Sequence, residues 1–194
     1  MIAIVNYGID KNHPLVKVLS ELGIDFKISS TETEIMNADK VILPHTENIS
    51  SAVKQLHLLN LFTMLRVCNK PMLGISNGMH LMSLYSNEGN LACLGIFRGI
   101  AEKIETTMKE NDKFGEIIMI KNSRLFYQIH ENEKFYFDNS HCIPVSEQTS
   151  AVTSRVPIFS AMVEKNNFFG VQFLPEKSGE SGTKIIQNFV SLSV

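Results

Sequence analysis

The chain has 194 residues, 44% hydrophobic and 20% charged, which suffices to bury one substantial core and suits a single domain over residues 1–194. Its 18 basic and 20 acidic residues give a net charge of -2, so it lacks the basic field of a nucleic-acid-binding protein. No apolar run approaches the ~18 residues of a membrane span, and no basic region precedes the N-terminal apolar run. We therefore expect a cytoplasmic protein with neither nucleic acid nor a membrane as its partner.

The first half of the chain alternates strand and helix patterns, as in a parallel sheet covered by helices. Pro14 suits the first turn of a helix that Gly23 ends, and Thr31 with Glu34 forms a capping-box pattern at the start of a shorter helix. Apolar spacing predicts one long helix across 53–64, and another helix follows residue 76. Strands are predicted over residues 2–5, 24–28, 40–44 and 71–75.

The second half is richer in strand patterns, and no linker or repeat separates it from the first half. The polar run 105–112 is typical of an exposed connection, and 182–190 of a closing helix. The fold class predicted is α/β, with an open, mostly parallel sheet, helices on both faces and an antiparallel extension in the second half. The strands of this half are predicted over residues 96–104, 116–120, 135–137, 151–153, 161–164 and 168–173.

The cysteines indicate neither a disulfide framework nor a metal site. Cys68, Cys93 and Cys142 are odd in number, widely spaced and without the spacing of metal ligands. Such a set is typical of reduced, mostly buried thiols. We expect no metal and no cofactor.

The most informative motif is the Gly-x-Ser-x-Gly segment formed by Gly74, Ser76 and Gly78. It follows an apolar strand and opens a helix, which is the layout of a nucleophile elbow. This geometry exposes a hydroxyl or thiol on a sharp turn, with helix N-terminal N–H groups beside it to stabilise an oxyanion. The elbow lies at the carboxyl end of a strand, where open α/β sheets bind their ligands.

A serine nucleophile also needs a histidine to take its proton, and the C-terminal segment does not supply one. Residues 170–179 read Gly-Val-Gln-Phe-Leu-Pro-Glu-Lys-Ser-Gly, with Leu174 before the proline and Glu176 after it. His45 and His80 are candidate substitute bases, although filling space or a surface hydrogen bond is the simpler role for each. His141 and Cys142 are candidates for a polar contact near the same place.

Several blocks of this chain, in one order, resemble class I glutamine amidotransferases and, among them, the glutaminase subunits of imidazole glycerol phosphate synthase from histidine biosynthesis. The resemblance runs nearly end to end, which makes it specific. It implies the glutaminase-like α/β fold of that family. The blocks that carry it are residues 1–8, 38–44, 70–75, 94–96 and 169–179.

The resemblance also assigns the site positions. The family's cysteine nucleophile, histidine and glutamate correspond to Ser76, Leu174 and Glu176, so only the glutamate is retained. The family's Pro-Gly-x-Gly oxyanion loop is replaced by Pro44-His45-Thr46-Glu47, and its His-Ser-Tyr run by Asn139-Ser140-His141. The oxyanion and pocket positions implied are His45, Thr46, Asn77 and Gly78.

These departures predict a pseudo-glutaminase that acts through a (β/α)8 cyclase-like partner in a heterodimer. The family docks its active-site mouth on that partner, and the matching segments here contain Asn12 and Lys177. A vestigial pocket could still hold glutamine. Two alternatives stay open: an active glutamine amidotransferase that supplies ammonia with Ser76 as nucleophile, and a serine hydrolase that uses the Gly-x-Ser-x-Gly elbow.

Overall fold

The computed structural model describes residues 1–105 and 113–193. The predicted connection over 105–112 lies, apart from its first residue, outside the described residues. The helices are α1 (Pro14–Glu21), α2 (Glu32–Asn37), α3 (Ile49–Leu58), α4 (Leu61–Val67), α5 (Asn77–Met82) and α6 (Gly179–Val190), with 3₁₀ turns at Arg124–Phe126 and Pro175–Lys177. The strands are β1 (Ile2–Val5), β2 (Phe26–Ser29), β3 (Lys40–Leu43), β4 (Met72–Ile75), β5 (Tyr85–Ser86), β6 (Leu91–Ala92), β7 (Ile100–Lys103), β8 (Phe114–Met119), β9 (Lys134–Tyr136), β10 (His141–Cys142), β11 (Thr149–Thr153), β12 (Ser160–Lys165) and β13 (Phe168–Val171).

The large sheet has the strand order β2-β1-β3-β4-β13-β12-β11-β8-β9. Neighbours pair in parallel from β2 to β13 and antiparallel from β13 to β9. The predicted α/β class is confirmed, and the antiparallel extension comes from the second half as expected. The carboxyl ends of β4 and β13 lie side by side, since Ile75 pairs with Val171.

Helices cover both faces of this sheet, because alternate side chains of a strand point to opposite faces. In β1, Ile2 and Ile4 join a core with residues of α1 and α6, whereas Ala3 and Val5 join a core with residues of α3, α4 and α5. A separate small sheet, with the order β10-β7-β5-β6, lies beyond α5 along the chain. No helix among the described residues is long and apolar enough to cross a membrane.

The long helix predicted across 53–64 is wrong. Leu59 ends α3, and Asn60 takes a left-handed conformation (φ 58°) before α4 begins at Leu61. Asparagine tolerates this conformation better than most residues with a Cβ. The apolar spacing continues through the break because Leu56 and Leu61 are both buried in the same core.

The capping box predicted at α2 is also absent. Thr31 is the N-cap residue, but its side chain makes no capping hydrogen bond. Glu34 instead accepts hydrogen bonds from Lys27 Nζ and Ser29 Oγ, both at 2.5 Å. The Thr31 N–H donates to Ser29 Oγ at 3.1 Å, so a side chain of β2 provides the acceptor for this N–H group at the start of α2.

The strand predicted over 96–104 forms only at Ile100–Lys103. The segment before it instead satisfies the C-terminal end of α5. The N–H groups of Ile96 and Phe97 both donate to the carbonyl oxygen of Met82, the last residue of that helix, at 2.9 Å each. The two-residue strands β5, β6 and β10 are too short for a period-2 pattern to reveal. The cysteines are free and buried. Remaining strand and helix bounds differ from the predicted ones by up to three residues.

Candidate functional site

Ser76 forms the sharp turn between β4 and α5. It is the N-cap residue of α5 and has φ 51° and ψ -111°, a backbone conformation that a residue with a Cβ rarely adopts. Its N–H donates to the carbonyl oxygen of Val171 at 2.7 Å, which ties the turn to β13. Such strain persists only where the surrounding structure imposes it, and it is concentrated at functional sites.

The two glycines of the motif let α5 pack directly on the sheet. A Cβ at Gly78 would lie 2.0 Å from the carbonyl oxygen of Leu43 at the end of β3. A Cβ at Gly74 would lie 2.6 Å from the carbonyl oxygen of Gly78. Neither distance is possible for a real side chain, so this packing of α5 against β3 and β4 requires glycine at both positions.

The Ser76 side chain is fully buried, and its Oγ has no hydrogen-bond partner among the described residues. No imidazole in the described part of the chain hydrogen-bonds this hydroxyl. The serine therefore has the backbone of a nucleophile elbow, and its hydroxyl makes none of the hydrogen bonds through which a base activates such a nucleophile.

A cleft of about 720 Å³ opens beside the elbow, at the carboxyl edge of the parallel strands. It brings together six of the residues singled out from the sequence: His45, Thr46, Asn77, Leu174, Glu176 and Lys177. Ser76 and Gly78 lie behind its wall and do not line it. Asn12 is exposed in the loop before α1, next to the cleft-lining Asp10 and His13.

The loop after β3 is held by three side chains from other segments. Tyr7 Oη donates to the carbonyl oxygen of Pro44. Asn77 Nδ2 donates to the carbonyl oxygen of Thr46 at 2.7 Å. His13 Nε2 lies 3.3 Å from the carbonyl oxygen of His45 and is its donor. Three successive carbonyl groups of the 44–47 loop are thus fixed.

His13 can cap α1 and hold this loop at the same time only as a neutral imidazole. The Leu15 N–H donates to His13 Nδ1 at 3.3 Å, capping α1, so the ring proton sits on Nε2. Burial lowers the pKa of His13, which favours the same form. Burial first, and then the charges of His13 and Lys177, lower the pKa of His45 to about 4. Both rings are therefore neutral near pH 7.

Leu174 occupies the position where a base was sought, and its side chain is buried. Its N–H donates to the carbonyl oxygen of Tyr136 at 2.8 Å. Glu176 follows in the 3₁₀ turn, and its Oε2 is buried without a hydrogen-bond partner among the described residues. Burial raises the pKa of Glu176 to about 7, and a backbone hydrogen bond and the charge of Lys177 offset this rise only in part.

The other two histidine candidates do not line the cleft, although His141 directly follows the lining residue Ser140. His80 is fully buried on α5, with Nε2 2.8 Å from Gln172 Oε1, and does not line the cleft. Burial lowers the pKa of His80 to about 4. His141 and Cys142 form β10, and burial raises the pKa of Cys142 to about 11, which disfavours the reactive thiolate.

The sequence did not reveal that Tyr7 and His13 hold the 44–47 loop, or that Asp10, Glu88 and Asp138 line the cleft. Tyr7, His13 and Asp10 come from the start of the chain, and Asp138 from the loop after β9. Their convergence depends on strand order, and no local pattern carries that information.

A larger cavity of about 1180 Å³ lies at the opposite edge of the sheet, between the segment after β8 and the end of α6. It contains none of the residues singled out from the sequence. We place the candidate site in the smaller cleft because the strained elbow and the ends of β3, β4 and β13 converge there. Within residues 1–105 and 113–193, no group of three or more His, Cys, Asp or Glu residues could hold a metal ion.

Comparisons with known proteins agree on one family. Residues 3–192 match the family model "Glutamine amidotransferase class-I". The chain is 39% identical over 178 residues to the imidazole glycerol phosphate synthase subunit HisH of Blochmanniella pennsylvanica, covering 90% of this chain and 91% of that one. It is 35% identical over 195 residues to HisH of Bacteroides fragilis strain YCH46, covering 98% and 99%. A solved glutamine amidotransferase structure superposes with a TM-score of 0.76 at 13% identity, covering 97% of this chain and 96% of that chain.

Proposed function

Because the chain belongs to the class I glutamine amidotransferase family and is HisH-like along nearly its whole length, we propose that it is a glutaminase subunit with an impaired catalytic site. It acts by binding a cyclase-like partner subunit. The proposal rests on two facts taken together. The Ser76 hydroxyl is buried without a hydrogen-bond partner among the described residues, and residue 174 is a leucine.

The chemistry of the nucleophile supports the proposal. A free thiol is ionised to a few per cent at neutral pH, whereas an unassisted serine hydroxyl is essentially never ionised. Serine therefore depends on its base more than cysteine does. Loss of the base in a serine protease costs on the order of 10⁶-fold in rate. Glu176 does not replace it, since its position suits the orientation of an imidazole that is absent.

The 44–47 loop supports impairment independently. An oxyanion site needs a backbone N–H that turns toward the substrate carbonyl, and glycine makes such a turn easy. Here His45, Thr46 and Glu47 all carry a Cβ. The carbonyl groups of Pro44, His45 and Thr46 are each held by a hydrogen bond from Tyr7, His13 or Asn77. Turning a peptide in this loop would break at least one of these bonds.

A partner subunit is proposed from the relatives, which are named as subunits of imidazole glycerol phosphate synthase. The family resemblance makes the cyclase a (β/α)8 barrel and the cleft mouth the docking face. Asn12 and Lys177 are both exposed beside that mouth. A subunit without hydrolysis can still stabilise or tune such a partner, which would then use free ammonia.

The active-enzyme and serine-hydrolase alternatives both require a base on Ser76. In the described part of the chain, no histidine hydrogen-bonds the Ser76 hydroxyl. His80 is oriented toward Gln172 instead. No observation favours either alternative over the impaired subunit.

The experiment combines this protein with a (β/α)8 cyclase subunit encoded in the same genome. We predict a heterodimer by native mass spectrometry, cyclase turnover with ammonium salts and no turnover above background with glutamine as nitrogen source. An intact HisH with its own cyclase is the positive control. Glutamine-dependent turnover within tenfold of that control would contradict impairment, and the absence of any complex would contradict the partner.

A further inference from the structure

We propose that the cleft beside Ser76 binds a small ammonium cation, either the ammonium ion or a simple primary amine, in preference to a zwitterionic amino acid. The inference rests on the proposed function insofar as the cleft no longer serves glutamine hydrolysis. It assigns that same site a ligand of a different chemical class.

The charge of the cleft is the first argument. Acidic side chains reach it from five separate segments: the loop before α1, the loop after β3, the turn between β5 and β6, the loop after β9 and the 3₁₀ turn after β13. Converging charges of one sign in a concave site raise the local concentration of the opposite ion. These side chains are Asp10, Glu47, Glu88, Asp138 and Glu176.

Positive charge in the cleft is sparse by comparison. Lys177 is the lysine that lines it, and its Nζ lies 5.3 Å from the centre of the Tyr136 ring. His13 and His45 also line it, but their lowered pKa values keep them neutral near pH 7. A ligand carboxylate would therefore find several like charges and few cationic partners.

Two of the five acidic residues have basic neighbours outside the cleft lining. Asp138 accepts a hydrogen bond from Lys113 at 2.8 Å, and Glu88 Oε2 lies 3.8 Å from His141 Nδ1. Among the residues that the structure describes, Asp10, Glu47 and Glu176 have no ion pair. Asp10 and Glu47 therefore leave a demand for a cation, and a cation bound beside Glu176 would favour the ionised form of its carboxyl group.

Unpartnered acceptor atoms give the second, independent argument. Glu176 Oε2 and Asn139 Oδ1 are both buried in the lining of the cleft, and neither has a hydrogen-bond partner among the described residues. The orientation of the Asn139 amide is fixed, because its Nδ2 donates to the carbonyl oxygen of His141 at 2.8 Å. Buried acceptors without donors are costly, and an ammonium group supplies several N–H donors at once.

The test uses the isolated full chain, without a partner and without a turnover assay. Its melting temperature is followed at constant ionic strength in ammonium, methylammonium, tetramethylammonium and sodium chloride, and separately with glutamine. Binding of ¹⁵N-labelled ammonium is measured by its NMR line broadening. We expect stabilisation and binding with ammonium and methylammonium, and neither with tetramethylammonium, which has the charge but no N–H donor.

Three variants distinguish ammonium binding in the cleft from a general effect of salt on the charges of the protein. We expect Glu176→Gln to weaken ammonium binding by at least tenfold and Glu47→Gln, an exposed residue that does not support the fold, to weaken it by two- to fivefold. Exposed Glu131→Gln, outside the cleft, is the matched control and should bind as the unchanged protein does.

Equal responses to all four salts, or no effect of either cleft variant, would overturn the inference. Tighter binding of glutamine than of ammonium would also overturn it. These outcomes leave the impaired catalytic site untouched, because that proposal is tested by glutamate release. Glutamine hydrolysis, in turn, would contradict the impaired site without altering the salt comparison.

Discussion

At the scale of single residues, the backbone strain at Ser76 does not depend on a hydrogen bond made by its own side chain. Ser76 keeps φ 51° although its hydroxyl has no hydrogen-bond partner among the described residues. The close approach of Gly78 to Leu43 explains why the strain persists: the packing of α5 on the sheet imposes the turn whatever side chain it carries. The backbone conformation of residue 76 is therefore independent of the reactivity of its side chain.

His80 provides a test of buried polar chemistry behind the elbow. Its pKa is lowered by burial to about 4 in the folded protein, from an ordinary value of 6.5. The unfolded chain thus binds more protons between these values, and stability falls as the pH is lowered through this window. A shift of this size corresponds to about 3 kcal/mol at most.

We predict that His80→Gln flattens the dependence of the free energy of unfolding on pH between 6.5 and 4, even if it lowers the value at pH 7. The measurement is urea unfolding across that pH range. Exposed His130→Gln is the control and should retain the slope of the unchanged protein. An unaltered slope in the His80 variant would show that this imidazole is already charged in the folded state.

At the scale of helices and strands, the sequence patterns gave a wrong prediction where the backbone conformation of a single residue ends an element. The 53–64 pattern predicted one helix because apolar residues on both sides of Asn60 face the same core. The break depends on a single left-handed residue, which apolar periodicity does not detect. The elbow, in contrast, was predictable because its strand, turn and glycines are consecutive in the sequence.

Asn60 allows a direct test of that break. We predict that Asn60→Gly leaves the free energy of unfolding unchanged or slightly higher, since glycine adopts φ 58° without a Cβ clash. Asn60→Ala should lower it by about 1 kcal/mol, the usual cost of a left-handed conformation. Chemical denaturation of both variants checks this. Equal free energies of unfolding for the two variants would contradict this, because Asn60→Ala could match Asn60→Gly only if α3 and α4 joined into one helix.

At the scale of the whole molecule, the site is assembled from both halves of the chain. The parallel pairing of β4 with β13 places the elbow beside the segment that contains Leu174 and Glu176. The family resemblance predicted this neighbourhood from ordered sequence blocks. It did not predict the bonds that hold the 44–47 loop or the acidic lining, because those depend on contacts between distant segments that have no motif.

We also predict how much activity substitutions at the site can restore. Ser76→Cys with Leu174→His restores the nucleophile and base positions but leaves the loop held by Tyr7, His13 and Asn77. One missing oxyanion donor costs ~10²–10³-fold in other acyl-transfer enzymes, so this double variant should be weakly active. Adding His45→Gly and Glu47→Gly should then give a further large gain.

The decisive measurement for the impaired site is the rate of glutamate release from glutamine with the cyclase partner present. It is measured for the unchanged protein, the double variant, the quadruple variant and an intact HisH under the same conditions. An impaired site predicts no release above background for the unchanged protein, weak release for the double variant and a clear rise for the quadruple variant. Release by the unchanged protein within tenfold of the intact HisH would contradict it.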